Sequence, residues 1–121
     1  VAESSKIWYN NILMITEEIR QIAEKIREAL DPERIYLFGS YARNQETETS
    51  DYDFYVVVDE REESETPLLL CDKAYFAIFD IQAKPCDVIV NYKEHFEKRK
   101  LYPTLEKTVA KEGVVLYEKG T

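Results

Sequence analysis

The sequence predicts an α/β or α+β fold in which a mixed sheet of about four strands packs against helices. Two observations lead to this prediction. Short apolar segments of high β-propensity alternate along the chain with segments whose apolar residues recur every three or four positions. The chain has 121 residues, of which 45% are hydrophobic and only three are glycine. This length and composition are those of one globular domain, which we expect to span residues 1–121.

The first predicted element is a long amphipathic helix over about residues 5–30, within an N-terminal segment 1–31. Its apolar residues form one stripe at helical spacing: Trp8, Ile12, Ile15, Ile19, Ile22, Ile26 and Leu30. Asp31-Pro32 is expected to end the helix, because the residue before a proline is disfavoured in the helical region. We interpret the stripe as intramolecular core, and a partner-binding coiled coil is the alternative.

The segment 34–117 contains the remaining predicted elements. The expected strands are 34–38, 51–59, 85–91 and 114–117, and the expected helices are 67–79, 92–101 and 103–111. Strand 51–59 has apolar residues on both faces, which is typical of a central strand. Pro67 suits the first turn of its helix, and Gly113 is expected to stop the last one.

Composition and charge exclude several classes of function. Twenty-four acidic against sixteen basic residues give a net charge of -8, which opposes attraction to a nucleic-acid backbone. No apolar run approaches the ~20 residues that span a bilayer, and the N-terminus lacks the pattern of a secretory signal. We therefore expect a cytoplasmic protein without a membrane anchor. Cys71 and Cys86 lack partners at zinc-ligand spacing and are expected to be reduced core thiols, and His95, in a charged run, is given no role.

Candidate functional residues are concentrated in residues 35–53. An apolar strand ends at Gly39-Ser40, a polar loop follows, and the next strand opens with Asp51-Tyr52-Asp53. Because side chains alternate along a strand, Asp51 and Asp53 are expected to share one face. Each feature alone is more often a turn or a strand end than a site.

A third carboxylate, Asp87, heads a later apolar strand. If that strand lies beside the Asp51 strand with like ends aligned, the three carboxylates converge. Clustered carboxylates repel one another unless a pKa rises or a metal binds, and a site with only oxygen ligands favours Mg²⁺ or Mn²⁺. Magnesium is commonly completed by substrate phosphates, so a nucleoside triphosphate is the expected ligand.

The glycine turn has features that suit a phosphate. Gly39 allows close approach of the backbone, and Ser40 offers a hydroxyl and an amide. A helical turn beginning at Tyr41 would add its N-terminal amides, and Arg43 can reach a phosphate oxygen from the same turn.

The combination resembles a known family. Four features together resemble the nucleotidyltransferase domain of the DNA polymerase β superfamily. They are the run Leu-Phe-Gly-Ser-Tyr-Ala-Arg-Asn, the interval of ten residues between Ser40 and Asp51, the strand start Ser-Asp-Tyr-Asp, and Asp87. More narrowly, the short length and the closing Lys-Glu-Gly-Val-Val-Leu-Tyr-Glu resemble the minimal nucleotidyltransferases, MNT. The resemblance covers nearly the whole chain from Arg34 onward.

The resemblance implies a polymerase β-type fold with residues 34–117 as the catalytic core. It makes Asp51, Asp53 and Asp87 the metal ligands and catalytic residues, with two Mg²⁺ ions expected. Asp87 would also accept the proton of the attacking hydroxyl, and Gly39 and Ser40 would hold the triphosphate of ATP or another NTP. The sequence departs from the family at Asn44, where family members commonly have glycine. Asparagine tolerates the left-handed conformation better than other non-glycine residues do.

The resemblance also suggests the acceptor. Minimal domains of this kind resemble the antitoxin half of HEPN–MNT pairs, in which a helical HEPN toxin ribonuclease is the partner and can receive AMP on a tyrosine hydroxyl. The alternatives are a non-catalytic toxin-binding module and a small-molecule nucleotidyltransferase of the aminoglycoside-modifying type. RNA tailing is disfavoured by the acidic composition, and homo-oligomerisation is left open.

Overall fold

The structure is a computed structural model that describes residues 6–8 and 16–120. Its elements are β1 (Lys6–Trp8), α1 (Glu17–Leu30), β2 (Arg34–Phe38), β3 (Tyr52–Val58), α2 (Pro67–Ile78), β4 (Cys86–Tyr92), α3 (Lys93–Arg99), α4 (Leu105–Glu112) and β5 (Val114–Lys119). From α1 onward every predicted strand and helix is present. None of the helices in these ranges has the length and apolarity needed to cross a bilayer.

The strands form one mixed sheet in the order β1-β5-β2-β3-β4. Strands β3 and β4 are parallel, and the other neighbours are antiparallel. The predicted fold class is therefore confirmed. The sheet has five strands and not four, because Lys6–Trp8 pairs with the outer edge of β5.

The prediction of one helix through the N-terminal segment is wrong at its beginning. Lys6–Trp8 is a strand, and α1 starts at Glu17, where the Oγ1 atom of Thr16 accepts a hydrogen bond of 3.2 Å from the amide of Ile19. Thr16 is thus an N-cap that the apolar spacing concealed. Residues Lys6–Trp8 form a strand because they pair with β5, which is distant in the sequence. The helical spacing of apolar residues gives no information about such a long-range pairing. Residues 9–15, which include Ile12 and Ile15, lie outside the described residues.

Two apolar layers enclose the sheet. On one face α1 and α2 pack against the strands, and the α1 stripe is buried there as predicted: Ile19, Ile22, Ile26 and Leu30. On the other face α3 and α4 cover a smaller cluster formed by Tyr36, Tyr55, Val57, Phe96 and Val109. Strand β3 lies between β2 and β4 with almost every residue buried, which confirms it as the central strand.

A buried carboxylate fixes α4 to the second face. Glu106 accepts hydrogen bonds from the Tyr55 hydroxyl at 2.7 Å and from Nε of Arg99 at 3.1 Å. Burial by itself raises the pKa of Glu106, but these hydrogen bonds outweigh it and lower the pKa. The contact anchors α4 on β3, the strand whose first residues include Asp53.

Candidate functional site

Asp53 and Asp87 lie side by side on the two parallel strands. They are register partners, and each is the second residue of its strand. Because β3 and β4 run in the same direction, paired positions point to the same face of the sheet. The like-end alignment of the two strands, which convergence of the carboxylates requires, is therefore present. Asp53 is half-buried, whereas Asp87 is exposed.

Burial and the neighbouring carboxylates disfavour the charged form of Asp53. Burial raises the pKa of Asp53 to about 6, and the charges of Asp87 and Asp51 and a hydrogen bond with Asp87 act in the same direction. The guanidinium of Arg43 opposes this shift. A carboxyl group whose pKa is raised by burial and by neighbouring carboxylates is typical of functional sites.

Asp51 lies at the margin of the pair. It immediately precedes β3, its side chain is exposed, and it is close enough to contribute to the pKa of Asp53. In the part of the chain that the structure describes, no three Asp, Glu, His or Cys side chains form a group that could hold a metal ion. The predicted three-carboxylate cluster is thus present as an adjacent pair with Asp51 outside it.

The glycine turn passes directly over Asp53. Gly39 follows β2 directly and has φ 78°, and a Cβ atom at this position would overlap the Oδ2 atom of Asp53. The preceding residue, Phe38, is the register partner of Asp53 on β3. Glycine is required here both for the positive φ and for the close approach to the carboxylate.

The turn predicted to begin at Tyr41 is present within a longer turn over residues 39–44. The amide of Arg43 donates to the Gly39 carbonyl at 3.1 Å, and the amide of Asn44 donates to the Tyr41 carbonyl at 3.2 Å. Within the described ranges the N–H groups of residues 40–42 donate to no backbone carbonyl. They have the character of a helix N-terminus, which favours anions. Asn44 has φ 59°, so it adopts the left-handed conformation expected from its tolerance for it.

The two side chains predicted to assist this turn are accessible. Ser40 is half-buried, and its carbonyl accepts the amide of Gln45 at 2.8 Å. Arg43 is exposed, and its Nε donates to Oε1 of Gln45 at 3.2 Å. Its effect on the pKa of Asp53 shows that its charge acts on the carboxylate pair. The turn and the pair therefore lie together, so that groups suited to an anion are next to two carboxylates.

Sequence reasoning missed Glu18, which supports the site from α1. Its Oε1 accepts the Tyr52 hydroxyl at 2.6 Å, and its Oε2 accepts the amide of Ala83 at 2.6 Å. Tyr52 precedes Asp53, and Ala83 lies four residues before Asp87. One carboxylate thus ties together the segments that lead into both aspartates. A glutamate in the first turn of a helix carries no sequence signal for this role.

A second unpredicted contact holds β4 from its outer edge. The amide of Val88 donates to the Tyr75 hydroxyl at 2.8 Å, and the Cys71 thiol donates to the Val88 carbonyl at 3.0 Å. The i, i+4 spacing of Cys71 and Tyr75 on the predicted helix was the available signal. Both cysteines are free, and His95 lies 3.9 Å from Glu106 on the α3 side, not among the aspartates.

Comparison with known proteins identifies the domain. The family model described as "Nucleotidyltransferase domain" matches residues 19–116, most of the chain. The chain belongs to this family. No curated protein matches the sequence of this nucleotidyltransferase domain.

Solved structures share the fold of this nucleotidyltransferase domain. A protein from Sulfolobus solfataricus described as a nucleotidyltransferase is 20% identical, with TM-score 0.51 and coverage of 82% of this chain and 76% of its own. A toxin-antitoxin crystallised with AMP-PNP is 22% identical, with TM-score 0.55 and coverages of 88% and 75%. A mutant of the toxin-antitoxin MntA-HpeT is 20% identical, with TM-score 0.53 and the same coverages. At these identities the similarity concerns the fold.

Proposed function

We propose that this nucleotidyltransferase domain moves an NMP group, AMP from ATP in the first instance, to a hydroxyl group of a partner protein such as a HEPN-type toxin. The observation that supports this most is the register pairing of Asp53 and Asp87 directly below the Gly39 turn. It brings the groups suited to a triphosphate next to the groups suited to a cation and a proton.

The donor set fits Mg²⁺, with Mn²⁺ as the substitute. The groups are carboxylate oxygens, and burial together with the charges of Asp87 and Asp51 raises the pKa of Asp53, which a bound cation would offset. Asp53 and Asp87 would hold the ion, and Asp51 would join them as a third ligand. When bound, the metal neutralises charge on the triphosphate and favours ionisation of the acceptor hydroxyl.

Other groups of the protein would bind the triphosphate and accept the proton. The free amides of residues 40–42, the Ser40 hydroxyl and the Arg43 guanidinium bind phosphate oxygens. The acceptor oxygen attacks the α-phosphorus, the bond to the β-phosphate oxygen breaks, and pyrophosphate leaves. Asp87, the more exposed carboxylate of the pair, takes the proton from the acceptor hydroxyl.

The structural neighbours support a nucleotide substrate and a protein partner. One neighbour is a toxin-antitoxin with AMP-PNP, and the other is a toxin-antitoxin mutant in which two aspartates two positions apart are replaced by glutamate. Asp51 and Asp53 have the same spacing. A net charge of -8 also suits association with a basic, RNA-cleaving protein.

The deciding experiment is to co-express this chain with the product of the adjacent reading frame and to measure intact masses. We expect an AMP-sized increment on the partner with the wild-type chain and none with Asp53→Asn. Copurification without any increment would show a binding module. Adenylylation of an aminoglycoside by the purified chain, with an unmodified protein partner, would show a small-molecule enzyme.

Ser40→Ala is expected to weaken ATP binding by about two- to tenfold, because one hydrogen bond to phosphate contributes about 0.5–1.5 kcal/mol. The affinity for Mg²⁺ alone should not change. Titration calorimetry measures both, and Ser64→Ala, in the exposed loop before α2, is the matched control. An ATP dissociation constant equal to that of the wild type would remove Ser40 from the site.

A further inference from the structure

Helix α2 is apolar on two opposite sides. One side is buried against the sheet and α1, through Leu70, Ala74 and Ile78. The other side is exposed to solvent, and we call it the α2 outer face: Leu68 (73% exposed), Leu69 (52%), Tyr75 (38%), Phe76 (86%) and Phe79 (80%). At 100° per residue these five side chains fall within about 120° of arc. A helix on a protein surface normally presents polar residues there.

The size of this apolar surface exceeds what isolated exposed residues provide. An aromatic side chain offers roughly 150–250 Å², so the two phenylalanines alone expose on the order of 300 Å². The leucines extend the patch along the helix toward its N-terminus. Contiguous apolar patches beyond a few hundred Å² are typical of interaction sites.

The rim of the α2 outer face is acidic. Exposed carboxylates precede the face (Glu62 and Glu63) and follow it (Asp80), and a fourth, Asp72, lies within its arc between Leu68 and Phe76. Lys73 is the one basic residue of α2. None of the ion pairs among the described residues involves these four carboxylates. They are therefore available to basic groups of another molecule.

The charge distribution decides between two kinds of occupant. A second copy of this chain would bring the same acidic rim, and juxtaposed like charges oppose association. A protein with an apolar centre and a rim of lysine or arginine is complementary in both respects. The overall charge of -8 favours the same choice.

The α2 outer face is also linked to the strand that carries Asp87. Tyr75 belongs to the face, and its hydroxyl accepts the amide of Val88 at 2.8 Å. Val88 follows Asp87 on β4, which is the edge strand of the sheet. A protein seated on α2 would therefore lie beside the edge strand that carries Asp87, although the Asp87 side chain points to the opposite face of the sheet from Val88.

We propose that the α2 outer face docks the protein partner that presents the acceptor hydroxyl, and that this partner has an apolar centre with a basic rim. The proposal rests on the proposed function for the role of that partner as acceptor. The docking contact itself needs neither nucleotide nor metal.

The test uses the full chain and the product of the adjacent reading frame, with affinity measured by calorimetry without nucleotide. Phe76→Glu is expected to weaken binding by about thirtyfold or more, as for a central aromatic anchor. Leu101→Glu introduces the same charge at a leucine that is 70% exposed on the connection between α3 and α4, and it should bind as the wild type does. Since Phe76 is 86% exposed, its replacement should leave the melting temperature unchanged.

Three results would overturn the docking proposal. The first is that Phe76→Glu binds the partner with the affinity of the wild-type chain. The second is that the wild-type chain forms no complex with the partner. The third is that the chain alone forms a dimer, which Phe76→Glu dissociates. Sedimentation of the chain alone tests the last of these. Higher salt should weaken the complex, because the rim contacts are between charges; an affinity independent of salt would contradict the basic rim.

The two proposals fail in different ways. Loss of transfer in Asp53→Asn with unchanged binding of Phe76→Glu would retain the enzyme and reject the docking surface. Loss of binding in Phe76→Glu without any mass increment on the wild-type partner would retain the docking surface and reject the transfer.

Discussion

Asp53→Asn is expected to abolish nucleotidyl transfer and, at neutral pH, to make the protein more stable. The substitution removes a charge that lies against Asp87 and keeps the shape of the side chain. In the folded protein the pKa of Asp53 is raised to about 6 from its ordinary value of 3.8. Between these two values the folded state holds the proton that the unfolded state has released. The free energy of unfolding therefore falls as the pH rises through this window.

The expected gain for Asp53→Asn is about 1 kcal/mol at pH 7.5, since water still reaches the carboxylate and screens the repulsion. The gain should become much smaller near pH 4, because the folded protein then holds the proton and the unfolded chain is only partly ionised. Urea unfolding with EDTA present, at pH 4 and pH 7.5, measures it. Asp72→Asn changes the net charge equally at an exposed position on α2 and is the control. A difference between Asp53→Asn and wild type that does not vary with pH would contradict the assignment.

The same variants test the cation. Mg²⁺ at pH 7.5 should stabilise the wild-type chain, because it compensates the repulsion between Asp53 and Asp87, and it should stabilise Asp53→Asn much less. ATP binding in the presence of Mg²⁺ should likewise be lost in Asp53→Asn. Unchanged binding of ATP and Mg²⁺ in this variant would remove Asp53 from the site.

Gly39→Ala is expected to be the most damaging single-methyl change at this site. The left-handed φ of 78° costs about 1–2 kcal/mol for a residue with a Cβ atom. The new Cβ would also overlap Oδ2 of Asp53, so the carboxylate must move. A displacement of about 1 Å at a catalytic group can reduce the rate about a hundredfold. We therefore expect a large loss of transfer together with the loss of stability.

A double-mutant cycle separates these two effects. In an Asp53→Ala background the overlapping oxygen is gone, so Gly39→Ala should cost only the conformational term. In the wild-type background the cost in free energy of unfolding should be larger. Equal costs in both backgrounds would show that the turn does not press on Asp53.

Much of the fold followed from local sequence. Strand Arg34–Phe38 was predicted with its observed bounds, and the helices at Pro67 and before Gly113 were indicated by their end signals. The N-terminal segment failed because β1 is defined by pairing with Lys119 and its neighbours, far away in the chain. Helical spacing across Thr16 gave no sign of that pairing.

The sequence by itself determined which residues could form the site, and the tertiary structure decided how they meet. Gly39, Ser40, Asp51, Asp53 and Asp87 were chosen because strand ends, turn chemistry and a family resemblance are local properties of the chain. Three features of the site depend on packing between distant segments. They are the parallel register that sets Asp53 beside Asp87, the position of Asp51 outside the pair, and the hydrogen bonds from Glu18. The apolar outer face of α2 is of the same kind. Which apolar residues of α2 remain exposed to solvent depends on which side of the helix is buried against the sheet and α1. The composition of the helix does not determine this.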